Sequence, residues 1–306
     1  MFSIKQIGII LRLYEMMKKI FWFIWLLPIS SVAQTSEETE QMIASLHSQL
    51  ANSASEKFSD SLSKSMREIF IRSFEQDETF EYPFEKLKFC TLTSSDNRIR
   101  LFNWNQPYPD GRHKYYCFVL LKDKKDQGYI WIELKDNQQD QEKIENKFLT
   151  PEKWLGALYY EIIPMDKKGR GDTYTLLGWD GKDNLTTRKI IDALTITGKK
   201  IRFGASIFAA EDNVRKRYIL EYSNDVSASV KFYSKKNCIV MDHLSPKNPL
   251  MTGVFADYGP DGTYHLFMKK NGKWEYIDNI DITEFAEGND KPFYDPRPSR
   301  RIKKKE

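Results

Sequence analysis

The pattern of apolar and polar positions changes character once along the chain, near Tyr82-Pro83. Before that point, apolar residues recur at three- and four-residue steps, a spacing that places them on one face of a helix. These apolar positions are Met42, Ile43, Leu46, Leu50, Phe58, Leu62, Met66, Ile69, Phe70 and Phe74. Segments with capping-box spacing, at 35–38 and 53–56, precede the two halves of this run. The pattern therefore predicts a helical hairpin over residues 34–80.

After Tyr82-Pro83 the chain consists of short segments rich in aromatic and β-branched residues, separated by Gly, Pro, Asn and Asp, which is typical of strands and turns. The predicted strands are 89–92, 99–104, 115–121, 129–134, 158–164, 174–179, 190–197, 206–209, 217–222, 229–232, 239–244, 253–258, 263–269 and 274–277. The polar stretch 137–148 interrupts them and is predicted to be helical. We therefore expect an all-β domain over residues 81–288.

The order of strands and turns favours antiparallel meanders. The first four predicted strands fit the period of one propeller blade, about 45 residues. Leu101-x-x-Trp104 in this unit has an echo in Leu176-x-x-Trp179. The fold predicted from sequence is thus mainly β and propeller-like, with a β-sandwich as the alternative.

The amino-terminal residues carry an export signal. Lys18-Lys19 precedes the apolar segment 20–29, and Ser31-x-Ala33 provides the small residues of a cleavage site. The apolar segment is shorter than the roughly 20 residues that span a bilayer. We expect a signal peptide over 1–33, with an uncleaved anchor as the alternative. Met17 is a second possible start, which leaves open whether residues 1–16 are translated.

Most of the positive charge lies at the two ends. The net charge is +4, yet residues 1–33 hold four basic side chains and one acidic, and residues 297–306 hold six and one. The region between is slightly acidic, which argues against a nucleic-acid partner because such proteins carry a basic face on the folded domain. We expect residues 289–306 to form a disordered, solubilising tail. Contact of this tail with anionic lipid or polysaccharide is the alternative.

Cysteine content leaves one question open. Cys90, Cys117 and Cys238 are the three cysteines, too few for a zinc ribbon or a dense disulfide framework. In an oxidising compartment, Cys90 and Cys117 are candidates for a disulfide between neighbouring strands. Three buried thiols are the equal alternative.

Two turn segments hold the candidate binding residues. Trp179 and Asp180 precede Gly181, and Tyr258 and Asp261 flank Gly259-Pro260. Carboxylates around a glycine resemble a calcium loop, but the alternating acidic positions and the distal glutamate of that loop are missing. Asp-Gly after a strand is typical of a turn. We therefore predict binding residues here and no metal site.

The sequence offers no convincing catalytic group. Asp242, His243 and Ser245 suggest a triad, but close neighbours in sequence rarely converge, and no Gly-x-Ser-x-Gly elbow is present. We assign no catalytic residue and no cofactor. The tryptophans beyond residue 33 have two interpretations, an exposed platform for sugars or peptides and packing in a β-rich core.

Several segments of the β domain form a recognisable set. They are Tyr159-Tyr-Glu-Ile-Ile-Pro164, Tyr174-Thr-Leu-Leu-Gly-Trp-Asp-Gly181, Arg188-Lys-Ile-Ile-Asp192, Phe203-Gly204, Asp242-His-Leu-Ser-Pro246 and Tyr258-Gly-Pro-Asp-Gly262. With these segments the chain resembles, over roughly residues 85–285, an uncharacterised family of exported proteins of Bacteroidota that has no assigned activity. The resemblance implies a Gram-negative envelope setting. No functional residue transfers, because the family has none established.

These observations predict an exported, non-enzymatic binding or interaction module. Trp179, Asp180, Tyr258 and Asp261 are the predicted binding residues. We expect a location in the periplasm, or alternatively on the outer surface or outside the cell, without a stable membrane anchor after cleavage. The expected partner is an envelope glycan or protein. A secreted hydrolase acting on glycan or peptide and a structural assembly protein are the alternatives.

Overall fold

The computed structural model describes residues 35–88, 90–123, 128–137, 143–165, 171–210 and 213–285. The predicted signal peptide, the second start at Met17 and the basic tail lie outside these residues. Within them the chain is mainly β, with two α-helices followed by fifteen strands. Across the same ranges, no helix combines the length and the apolar composition that crossing a membrane requires.

The predicted helical hairpin is present as α1 (Ser36–Ala51) and α2 (Glu56–Ser73). The Ser55 hydroxyl accepts a hydrogen bond from the Phe58 backbone amide and caps α2. The second helix therefore begins at the end of the 53–56 capping signal. Both helices contribute apolar side chains to one core.

The first sheet is a four-stranded antiparallel meander, in the order in which its strands occur in the chain. Its strands are β1 (Thr91–Thr93), β2 (Ile99–Pro107), β3 (His113–Lys122) and β4 (Tyr129–Lys135). The sequence predicted all four, because alternating apolar positions and strong turn signals specify a meander locally.

The second sheet has the order β11-β7-β6-β5, with β8 paired to β7. Its strands are β5 (Leu158–Pro164), β6 (Asp172–Asp180), β7 (Thr186–Thr197), β8 (Lys200–Phe203) and β11 (Arg217–Ser223). Every pairing in this sheet is antiparallel.

The third sheet has the order β10-β9-β15-β14-β13-β12. Its strands are β9 (Phe208–Ala210), β10 (Asn213–Arg215), β12 (Val230–Tyr233), β13 (Cys238–Pro246), β14 (Tyr258–Lys270) and β15 (Lys273–Ile277). The pairing of β9 with β15 is parallel, and it places Phe208 opposite Trp274.

Alternate residues of the first sheet face different layers, as the two-residue period of a strand requires. Phe102 and Phe118 contact Phe70 of α2, with ring centroids 5.1 and 6.3 Å away. Leu101 and Val119 belong to the core shared with the second sheet. The first sheet therefore lies between the helices and the second sheet.

The second sheet is covered on both faces. Leu176 and Leu194 share a core with the first sheet, whereas Leu177 and Ile191 share one with the third. A strand buried on both faces shows a continuous apolar run instead of alternation. This arrangement explains the consecutive apolar pairs Leu176-Leu177 in β6 and Ile190-Ile191 in β7.

The described strands form neither a closed barrel nor a propeller, so the propeller-like prediction is not confirmed. The reason lies in strand pairs that are distant in sequence. β11 joins the second sheet beside β7, and β9 joins the third beside β15, so these sheets are not consecutive meanders. Their face-to-face packing is closer to the sandwich alternative.

Two local predictions differ from the structure. In the polar stretch 137–148, residues 138–142 lie outside the described ranges, and the helical part of the rest is one short 3-10 turn, Ile144–Asn146. The predicted strand 253–258 is a loop with a 3-10 turn at Phe255–Asp257. The apolar residues of this loop mimic a strand, but they pair with no neighbour.

Cys90 and Cys117 do not form the disulfide that the sequence left open. All three cysteines are buried free thiols. Cys90 belongs to the core beneath the helices, and Cys117 to the core between the first and second sheets. Since the two thiols lie on opposite faces of the first sheet, their Cβ atoms do not face each other as a disulfide requires.

We expect Ellman's reagent to detect three thiols in the unfolded protein and none in the folded protein. Burial raises the pKa of each thiol, to about 11 for Cys238, and keeps the reactive thiolate scarce. The number of reactive thiols is measured by absorbance at saturating reagent, with and without denaturant. A single thiol after unfolding would contradict the structure, because it would require a disulfide.

Candidate functional sites

Trp179 and Asp180, two of the predicted binding residues, are buried at the end of β6. The Trp179 ring packs edge-on against His113, with centroids 5.1 Å apart. Asp180 Oδ1 accepts hydrogen bonds from the Tyr115 hydroxyl at 3.1 Å and from the Lys182 amide at 2.9 Å. Both residues therefore join the first and second sheets, and neither presents its side chain to solvent.

Gly181 is required for this packing. A Cβ atom built on it lies 2.4 Å from the His113 ring and 2.6 Å from the Trp179 ring. Only glycine permits this approach. Burial lowers the pKa of His113 to about 4, and the Asn105 side-chain nitrogen lies 3.0 Å from its Nδ1. His113 is thus a neutral packing group at neutral pH.

A row of alternating charges extends from Asp180 across three strands. Asp180 lies opposite Arg188, which lies opposite Glu221. Arg188 Nε donates to Glu221 Oε2 at 2.7 Å, and Arg188 Nη1 is 3.9 Å from Asp180 Oδ2. Lys182 also pairs with Glu221. Burial raises the pKa of Asp180, although Lys182, Arg188 and Tyr115 oppose this effect. The row thus links β6, β7 and β11.

Asp136 is a second carboxyl beside Tyr115. Its Oδ2 accepts a hydrogen bond from the Tyr115 backbone amide at 2.9 Å, and its buried Oδ1 has no hydrogen-bond partner. Burial, together with the charge of Asp180, raises the pKa of Asp136 to about 7 against the effect of that amide. Tyr115 thus contacts two carboxyl groups, and burial raises the pKa of each.

Arg217 and Asp192 form a fully buried ion pair in the same sheet. They lie opposite each other on β11 and β7, with Arg217 Nε 3.2 Å from Asp192 Oδ1. Arg217 Nη1 also donates to the Lys147 carbonyl at 3.0 Å and to the Ile144 carbonyl. The pair therefore ties the 143–150 loop to the second sheet.

The turn after Asp180 uses its polar groups internally. Asp183 Oδ1 accepts hydrogen bonds from the Leu185 and Thr186 amides, both at 2.8 Å. The Asn184 side chain donates to the Asp110 carbonyl at 2.6 Å, which joins this turn to the β2–β3 turn. Among the described residues, no group of three or more His, Cys, Asp and Glu side chains could hold a metal ion.

Tyr258 and Asp261, the other predicted binding residues, lie at the start of β14 in the third sheet. Asp261 Oδ2 is 2.6 Å from His243 Nδ1, and Asp261 Oδ1 accepts from the Thr263 amide and hydroxyl at 3.0 and 2.7 Å. Partial burial opposes ionisation, but the bonds from Thr263 and His243 outweigh it and lower the pKa of Asp261. Asp242, which the sequence suggested as the triad partner of His243, instead accepts a hydrogen bond from the Ser229 amide.

The structure thus places the four predicted residues in two separate locations. Trp179 and Asp180 belong to the interface of the first and second sheets, whereas Tyr258 and Asp261 belong to the third sheet. They do not form one binding site. The second location is the one open to solvent, since Asp261 is partly exposed.

Sequence reasoning missed the loop that joins β13 to β14, residues 247–257, which we call the β13–β14 loop. Four large apolar side chains on it are exposed: Leu250 by 91%, Met251 by 38%, Val254 by 44% and Phe255 by 44%. The available signal was an apolar run interrupted by Gly253, which predicts the strand 253–258 instead of an exposed loop.

The β13–β14 loop has a defined conformation. The Asp257 carbonyl accepts from the Lys247 amide at 3.0 Å, and its carboxylate accepts from the Asn248 amide at 2.8 Å. The Tyr258 hydroxyl accepts from the Gly253 amide at 3.0 Å, and its ring lies 5.3 Å from that of Phe255. Tyr258 is therefore a support for the loop.

Comparison of the chain with protein-family models, with curated proteins and with solved structures finds no match.

Proposed function

We propose that this protein is an exported, non-enzymatic interaction module that binds a protein partner in the cell envelope through the β13–β14 loop. The export signal and the resemblance to exported proteins support the location. The observation that carries the proposal is the exposure of Leu250, Met251, Val254 and Phe255 on one hydrogen-bonded loop. Exposed apolar clusters of this kind mark interaction sites.

The order of the loop favours binding. A loop held in place by its own hydrogen bonds loses little conformational freedom when a partner arrives, so more of the contact energy appears as affinity. Asp257 and Tyr258 provide these bonds. The His243–Asp261 pair lies at the same end of β13 and β14 and supplies polar groups beside the apolar ones. An apolar centre with a polar rim is the usual anatomy of a protein interface.

The tryptophans favour a protein partner over a glycan. Sugar-binding platforms need exposed aromatic rings, yet Trp104, Trp154, Trp179 and Trp274 are fully buried. Trp131 is partly exposed, but it packs against Phe74 with centroids 5.9 Å apart. Aliphatic side chains dominate the exposed apolar surface of the loop instead.

Site-specific photo-crosslinking in intact cells tests the proposal. We expect a photoreactive residue at position 250 to give one discrete protein adduct, and the adduct to disappear when Phe255→Asp is added. Position 185 is the matched control, because Leu185 is 67% exposed and lies on the β6–β7 turn. An adduct equally strong from position 185, or none from position 250, would overturn the proposal. Adducts to lipid or to a second copy would also overturn it.

A secreted hydrolase acting on glycan or peptide is the second candidate. The observation in its favour is the 2.6 Å contact between His243 Nδ1 and Asp261 Oδ2. In many hydrolases a carboxylate orients in this way the histidine that acts as the general base. Hydrolysis of peptide or peptidoglycan substrates that is lost in His243→Gln, with unchanged thermal stability, would replace our proposal.

Structural assembly through the helical hairpin has less support. Ile43 of α1 and Met66 and Phe70 of α2 are fully buried against the first sheet. Most of the apolar stripe that the sequence offered as a contact surface is therefore already buried inside the fold, although Met42 and Phe58 are exposed.

A further inference from the structure

A patch of positive charge surrounds one exposed aromatic ring. Phe148 is 49% exposed, and the Arg202 guanidinium carbon lies 4.1 Å from its ring centroid. The Lys216 ammonium lies 4.7 Å from the same centroid. We call these three residues, together with exposed Lys200, the Phe148 patch. One exposed ring therefore contacts two cations.

Three segments of the chain build this patch. Leu149 pairs with Phe203 through backbone hydrogen bonds of 3.0 and 2.8 Å, which brings Phe148 beside β8. β8 alternates exposed and buried positions, so Lys200 and Arg202 both point outward. Lys216 is fixed by its ammonium, which donates to the Asn146 carbonyl at 2.8 Å.

A close backbone approach holds the segments together. Gly204 has a φ of +86°, and a Cβ atom built on it lies 2.9 Å from the Lys147 carbonyl oxygen. Any other residue at this position would separate the 143–150 loop from the end of β8. The positions of the cations therefore follow from the fold.

The charges of the patch are not neutralised. Within the described part of the chain, no carboxylate lies within ion-pair distance of Lys200, Arg202 or Lys216. Neighbouring cations differ: Lys199 pairs with Asp123 at 2.7 Å, and Arg215 pairs with Glu145 at 3.2 Å. The patch is therefore a local positive field that favours an anionic ligand.

We propose that the Phe148 patch binds an acidic polysaccharide through its carboxylate groups. Lys200 and Arg202 are two residues apart on one strand, so their Cα atoms are about 7 Å apart, and Lys216 contacts the same ring as Arg202. Cations spread over β8 and a second segment suit the repeated charges of an extended polyanion better than one compact anion. Arg202 matches the two oxygens of a carboxylate, and the ring limits the freedom of both neighbouring cations. This site is independent of the β13–β14 loop and of the function proposed for it.

Calorimetric titration with an oligogalacturonate tests the inference, with a neutral oligogalactan of the same length as the ligand control. We expect the wild-type protein to bind only the acidic oligomer, and Arg202→Gln/Lys216→Gln to weaken binding about tenfold, since two exposed charge contacts are lost. Phe148→Leu keeps the charge but releases the cations, and we expect a loss of about threefold.

Lys57→Gln/Lys64→Gln on α2 removes the same charge from exposed positions and should bind like the wild type. An equal loss of affinity in this control would show that binding depends only on the net charge of the protein, and would overturn the inference. Absence of binding to the oligogalacturonate would do the same. Displacement by inorganic phosphate at the same concentration of charge would also overturn it, because the site would then be one for a compact anion. Thermal melting confirms that each variant is folded.

Discussion

Arg217→Met will lower the free energy of unfolding by about 3–5 kcal/mol, the cost of leaving one charge of a buried pair without its partner. Asp192 and Arg217 are both fully buried, and 3.2 Å separates Asp192 Oδ1 from Arg217 Nε. The substitution also removes the donor to the Lys147 carbonyl. The remaining carboxylate must then either take up a proton or remain ionised in an apolar core.

Urea denaturation followed by circular dichroism measures this loss. The double variant Asp192→Leu/Arg217→Met should recover much of it, because neither charge then remains buried. Arg112→Met is the matched control, since Arg112 pairs with Asp110 at 2.7 Å on the exposed surface and should matter little. If Arg217→Met cost no more than this control, the buried pair would not stabilise the fold.

Asp136→Asn will stabilise the protein by about 3 kcal/mol at pH 8 and will leave its stability unchanged below pH 4. Burial raises the pKa of Asp136 from 3.8 to about 7. Between these values the unfolded chain has lost a proton that the folded protein keeps, so the stability contributed by this group falls as the pH rises. Three pKa units correspond to about 4 kcal/mol, reduced here because the side chain is partly exposed. Asparagine has no proton to lose, and its carbonyl can still accept from the Tyr115 amide.

The difference in unfolding free energy between the variant and the wild type, measured from pH 4 to pH 8, tests this expectation. The difference should grow with pH and become constant above pH 7. Asp77→Asn, at an exposed aspartate, should follow the wild-type curve throughout. A difference independent of pH would show that the substitution acts through packing instead of ionisation.

The local pattern of apolar and polar residues was sufficient to predict the helices and most of the strands. The stripe from Met42 to Phe74 specifies an amphipathic hairpin whatever packs against it. The strands of the first sheet follow one another through short turns, and their order could be predicted. The pairings of β7 with β11 and of β9 with β15 join distant segments. The periodicity of apolar residues in the sequence does not indicate such pairings.

Charged residues concealed the start of β7. The predicted strand began at Ile190, whereas the observed strand begins at Thr186 and includes Arg188 and Lys189. Arg188 is compatible with a buried strand because Glu221 and Asp180 lie opposite it on the neighbouring strands. The Lys189 ammonium instead lies 5.0 Å from the centroid of the Tyr160 ring. A sequence read alone cannot show which carboxylate neutralises which cation.

The candidate binding residues were found by turn chemistry, which indicates position in a hairpin and not exposure. Trp179-Asp180 and Tyr258 to Asp261 have the same kind of turn signal, yet the first pair is buried and Asp261 is partly exposed. The difference arises because His113 and Tyr115 of β3 pack on the first pair. Burial that depends on such tertiary contacts cannot be predicted from the local sequence.

The parallel pairing of β9 with β15 also determines when the fold can be completed. A chain is synthesised from its amino end, so Phe208 emerges well before Trp274, which lies opposite it. Until then the β9–β10 hairpin has an open edge, and the core shared by the second and third sheets lacks Phe267 and Trp274. Closing so distant a contact is slow compared with forming a local hairpin. A nascent chain of this topology therefore remains incompletely folded until β15 has emerged.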